Sequence, residues 1–90
     1  MWNKADKRDC ESIAIKALGF LAGDTERAGR FLAITGIAPE NLRIIAQEPA
    51  FLLAVLDHLL GDEPLLISFA AHNGLSPESV ARARQKLAQG

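Results

Sequence analysis

The chain has a single cysteine, Cys10, so it has no intramolecular disulfide. A lone thiol suits a reducing compartment. Net charge is almost absent: ten Lys and Arg stand against eleven Asp and Glu, formally −1. No global field therefore draws the protein onto nucleic acid or an anionic membrane. The charged start Met1–Glu11 is followed by no signal-peptide h-region, which sets the expectation of a cytoplasmic protein. The longest apolar stretch, Pro49–Leu60, rises at about 1.5 Å per residue and falls far short of a ~30 Å hydrocarbon core. No membrane span is expected. No segment sustains period-two alternation, so no sheet is expected either. A Gly-rich phosphate loop, an activated serine and a convergent acidic pair are all missing. No catalytic residue and no cofactor is assigned, and an enzyme is not expected.

What is present is helical patterning. Pro49–Leu60 holds Phe51, Leu52, Leu53, Val55, Leu56, Leu59 and Leu60, interrupted only by Asp57 and His58. A short helix apolar nearly all round is a buried central helix. Around it the chain reads as an all-α bundle of about six short helices in one domain, residues 1–90. Residues 1–4 are expected to fray, with Trp2 standing alone there. The first helix spans about Ala5 to Ala22, with Cys10, Ile13, Ala14, Ala17, Leu18 and Leu21 as its stripe. Asp24 caps a second helix carrying Ala28, Phe31, Leu32, Ile34 and Thr35, which ends at Gly36. Pro39 opens a third with Leu42, Ile44 and Ile45, which stops before Pro49. Asp62 caps the fifth, whose core residues are Leu65, Leu66, Ile67 and Phe69. Ser76-Pro77-Glu78 starts the sixth, with a stripe of Val80, Ala83 and Leu87.

The two halves repeat at an offset of 38 residues. Residues 13–47 match 51–85 at ten positions without a gap, Gly23-Asp24 over Gly61-Asp62 and Phe31 over Phe69 among them. Two tandem three-helix units follow, about 5–47 and 49–88, with approximate two-fold pseudo-symmetry. Gly36 and Gly74 should then share a helix-ending conformation with positive φ.

Few residues carry chemistry. Cys10, His58 and His72 are the soft ligands, and no pair has zinc-site spacing, so no metal site is assigned. Asp57 and His58 are neighbours about 100° apart on a helix, which is no catalytic dyad. The plain readings are a small buried hydrophobe for Cys10, a core-edge polar group for His58 and a helix C-terminal cation for His72.

The Gly74-Leu75-Ser76 turn resembles that of a helix-turn-helix, and a basic helix follows. In that motif Arg82 and Arg84 would meet phosphates or bases and Lys86 the DNA backbone. Against this stand the negative net charge and short Ala81 and Ala83 at would-be reading positions. Ordinary hairpin packing is the simpler account, so a DNA-binding protein using residues 76–89 is the alternative. The first reading is a protein-interaction or adaptor module. Its partner is an unknown protein or a second copy of the chain, met through Ile15, Phe20, Ile37 and Leu75.

Four blocks together resemble a known family: Ala17–Ala22, Arg30-Phe31-Leu32-Ala33-Ile34-Thr35-Gly36-Ile37, Leu42-Arg43 and Phe51–Asp57. It is a family of small uncharacterised bacterial proteins, a domain of unknown function, and the likeness covers roughly residues 11–87. Its most specific part is the Arg-Phe-Leu-Ala-x-Thr-Gly block. The resemblance implies a free-standing bacterial protein and brings no reaction or ligand. His58 departs from the apolar or aromatic residue expected after Val-Leu-Asp.

Overall fold

The computed structural model describes residues 4–89. The expectations for Trp2 and for fraying of the first three residues fall outside this range; Lys4 already begins a helix.

Helix α1 spans Lys4–Ala22. Cys10, Ala14, Ala17 and Leu21, spaced four, three and four apart, are its buried stripe. The Asp24 carboxylate accepts from the Glu26 and Arg27 N–H groups at 2.9 and 3.2 Å and opens α2, Thr25–Thr35. Helix α4 spans Pro49–Leu60, with Glu48 held extended ahead of the proline. Asp62 caps α5, Glu63–His72, through the Leu65 N–H at 3.2 Å. The Ser76 hydroxyl accepts from the Ser79 N–H at 3.2 Å and starts α6, Pro77–Gln89.

The core is a triangle of α1, α4 and α6, each packed on the other two. Phe51, Val55, Leu56 and Leu59 of α4 are buried between them. Val80 and Ala83 of α6 are buried too. Helix α5 lies on α4 and α6, while α2 packs chiefly on α1. The described residues contain helices and turns and no strand.

The expected third helix is much shorter than the pattern suggested. Pro39–Asn41 is one 3-10 turn and α3, Leu42–Ile45, a single α turn. The physical reason lies in the start and the stop. Ala38 offers no capping side chain where its counterpart Ser76 does, and Pro49 follows within ten residues. Ile44 is left 70 % exposed.

One more expectation needs correction. Ile67, expected in the core, is 51 % exposed, and Ile34 of α2 is 64 % exposed. Ile67 precedes buried Phe69 by two residues, about 200° round the helix. Helix α2 is covered mainly on one side, where Phe31 is buried.

Two pairs of positions matched by the 38-residue offset occupy similar places in the structure. Asp24 and Asp62 both cap helices. Gly36 and Gly74 have φ of 74° and 64°, the only positive values among the described residues. Their hydrogen bonds differ. Gly36 N–H bonds to Leu32 C=O alone. After α5, Gly74 N–H reaches Ala71 C=O and Leu75 N–H reaches Ala70 C=O, a Schellman closure. Phe20 packs edge-on against Phe69 at 5.5 Å between centroids, and His58, its counterpart, packs edge-on against Phe31 at 5.1 Å.

Candidate functional site

The three cations singled out on α6 do not form one face. The Arg84 guanidinium is bound across to α4: Nε donates to Asp57 Oδ1 at 2.7 Å and Nη2 to Oδ2 at 3.2 Å. Arg82 and Lys86, one turn apart, instead line a shallow groove against α1 with Asp9, Cys10 and Ile13. Arg84 lies two residues from Arg82 and so points roughly the opposite way. Helix α6 presents Glu78, Ala81, Arg82, Gln85 and Ala88 outward. The helix-turn-helix spacing is present, with the basic charge divided between two sides.

Of the four apolar residues singled out as an interface, only Ile15 is exposed, at 59 %. Phe20, Ile37 and Leu75 are half-buried against the core. Phe20 is held on several sides: Phe69 and His72 meet its ring, and the Arg27 guanidinium lies 4.0 Å from its centroid. The same Arg27 donates to the Phe20 carbonyl at 3.4 Å.

A further concavity lies elsewhere. It is an open cleft of about 470 Å³ between α2 and the α4–α5 turn. Arg30 and Ile34 come from α2, Asp57, His58 and Gly61 from the end of α4, and Asp62, Glu63 and Pro64 from the start of α5. The local sequence explains this convergence. Gly61 ends α4 and Asp62, the next residue, caps α5, so both helix ends gather their polar residues at one turn. Residues 49–78 contain no Lys or Arg, so the α4–α5 wall is acidic. Arg30 alone supplies positive charge to the lining. Asp57 is already engaged by Arg84.

His58 lies between this cleft and a smaller neighbouring one that it shares with Arg30 and Asp62. Its edge-on contact with Phe31 leaves it half-buried. Desolvation by burial lowers its pKa below the usual 6.5; Asp62 opposes the shift and Arg30 adds to it. Burial therefore disfavours the charged form of a ring set among acids and one arginine. His72 is exposed at the C-terminal end of α5, beside Phe20. Among the described residues no group of three or more His, Cys, Asp or Glu side chains converges as metal ligands. Among the same residues no helix is long and apolar enough to cross a membrane.

The family model described as "Protein of unknown function (DUF3572)" matches residues 7–90. The chain belongs to this family. Neither a curated protein nor a solved structure matches it. The match begins within α1 and takes in the other described helices of this DUF3572 chain, and both walls of the cleft lie inside it.

Sequence reasoning missed the cleft because its two walls are 23 or more residues apart, Ile34 against Asp57 and beyond. One signal was in view. The odd histidine at position 58 stands where the repeat has Phe20, and it marks the α4 side of the cleft.

Proposed function

We propose that this chain is a cytoplasmic bacterial protein-interaction module without enzymatic activity, and that its partner docks in the cleft between α2 and the α4–α5 turn. The observation that carries this reading is Ile34: a large aliphatic side chain, 64 % exposed, forms part of a concave wall. Burying such a side chain is worth about 1.5–3 kcal/mol. Around it stand Arg30, Asp62 and Glu63, polar groups of the kind that rim an apolar contact and set orientation. The partner is a different protein or a second copy of this chain.

The test is photo-crosslinking in cells that express the protein. A photoreactive residue replaces Ile34 in one variant and Ile44, on α3 and outside the cleft lining, in another. Discrete adducts from position 34 and none from position 44 support docking at the cleft. No adduct from position 34 defeats it. An adduct of twice the chain's mass identifies a second copy. The alternative, DNA binding through residues 76–89, is read in parallel by anisotropy of a labelled random duplex across a salt series. Affinity that falls steeply with salt and vanishes in Arg82→Ala/Arg84→Ala would put DNA first.

A further inference from the structure

We infer that the segment docking in this cleft belongs to a partner protein and carries an aliphatic side chain with a lysine or arginine within about one helical turn of it. The inference rests on the docking reading above and adds the partner's chemistry. The two walls ask for different things. The α2 wall offers Ile34, which gains by meeting an apolar side chain. The opposite wall offers carboxylates. Asp57 is paired internally with Arg84. Asp62 spends Oδ1 on the Leu65 N–H as the α5 cap. Glu63 is exposed in the first turn of α5, and it is the carboxylate best placed to accept a partner's cation. Burial of His58, whose ring packs on Phe31, disfavours a positive charge on it. Arg30 leaves the Asp62–Glu63 edge with an excess of negative charge. An acidic segment would set its carboxylates against that edge, and like-charge juxtaposition of this kind rejects a partner. A wholly apolar segment would desolvate Glu63 without an exchange.

The experiment is selection of random peptides displayed on phage, with the full chain immobilised. The Ile34→Asp variant is used for counter-selection, and Glu63→Gln for comparison. Both positions are exposed, and circular dichroism confirms that each variant keeps its helices before use. Enriched peptides that pair Leu, Ile or Val with a nearby Lys or Arg, bind Ile34→Asp not at all and bind Glu63→Gln about tenfold more weakly support the inference; that factor matches loss of one hydrogen bond to a charged group. Peptides that depend on Ile34 but are acidic, or indifferent to Glu63→Gln, overturn the partner chemistry and leave the cleft as a docking site. Peptides indifferent to Ile34→Asp, or no enrichment, overturn the docking reading itself.

Discussion

The glycines of the first two helices show how one residue type serves different ends. Gly19 and Gly29 lie inside α1 and α2, and a Cβ at either would meet nothing within 4 Å. Neither is held there by packing or by a special backbone angle. Gly19→Ala and Gly29→Ala should each stabilise the fold by roughly 0.5–1 kcal/mol, because alanine restricts the unfolded chain and is the better helix former. Urea melts should show the higher midpoint, with a rise of about 4–8 °C in Tm per kcal/mol. Gly36→Ala should do the reverse. The space is open, but φ of 74° strains any side chain. His58 supplies the residue-scale pH dependence. Its folded pKa lies below the unfolded value of 6.5. As pH falls from 7, the unfolded state takes up the proton first, so stability drops as pH passes through the folded pKa; above the unfolded pKa the term is flat. His58→Phe places a phenyl where the other half of the repeat has Phe20. It should keep the contact with Phe31 and flatten the stability profile between pH 7 and 5. Wild-type and variant melts across that range check it.

At the scale of elements, caps and closures decide which helices persist. Helix α6 has the Ser76 hydroxyl on the Ser79 N–H, and the Ser79 hydroxyl in turn donates to the Ser76 carbonyl at 2.7 Å. Its counterpart after Gly36 has Ala38 in the capping place and yields one 3-10 turn and one α turn. Ser76→Ala should cost about 1 kcal/mol. Ala38→Ser supplies the missing hydroxyl, and added helicity by circular dichroism is the expected outcome. The helical pattern of Leu42, Ile44 and Ile45 was plain in the sequence, yet an apolar pattern needs a neighbour to cover it. Helix α3 makes its main contact with the 3-10 turn before it. The Arg84–Asp57 bridge ties α4 to α6 on the surface. Exposed pairs contribute little, so Arg84→Ala should leave the melting curve nearly unchanged while freeing Asp57 toward the cleft.

At the scale of the whole molecule, stability resides in the α1–α4–α6 triangle. Leu59 is fully buried at its centre. Leu59→Ala should cost about 2–5 kcal/mol, a large share of the ~5–13 kcal/mol expected for a chain of this length. Calorimetry would show a broad, low-temperature transition or none. Removing residues 77–90 strips α6 from both α1 and α4, and circular dichroism should then report loss of helix well beyond the deleted segment. Ile34→Asp, on the outer wall of the cleft, should leave stability within about 0.5 kcal/mol. That result would make the proposed recognition at the cleft separable from folding.

The sequence by itself determined where the helices other than the third start and stop, because those events are local. A carboxylate or hydroxyl finds N–H groups two or three residues away, proline excludes the helical conformation just before it, and glycine accepts a left-handed angle. Asp24, Asp62, Ser76, Pro49, Gly36 and Gly74 were all legible on those grounds. The stripe on α1 and the buried side of α4 were legible too, since three-four spacing has one solution. Tertiary structure decided the rest. Ile34, Ile44 and Ile67 follow apolar patterns, but whether an apolar residue is covered depends on which helices arrive beside it. Arg84 reads as a free cation until α4 brings Asp57 within 2.7 Å. The cleft joins Arg30 and Ile34 to residues 57–64; no local rule links them, because only the packing of distant helices makes them neighbours.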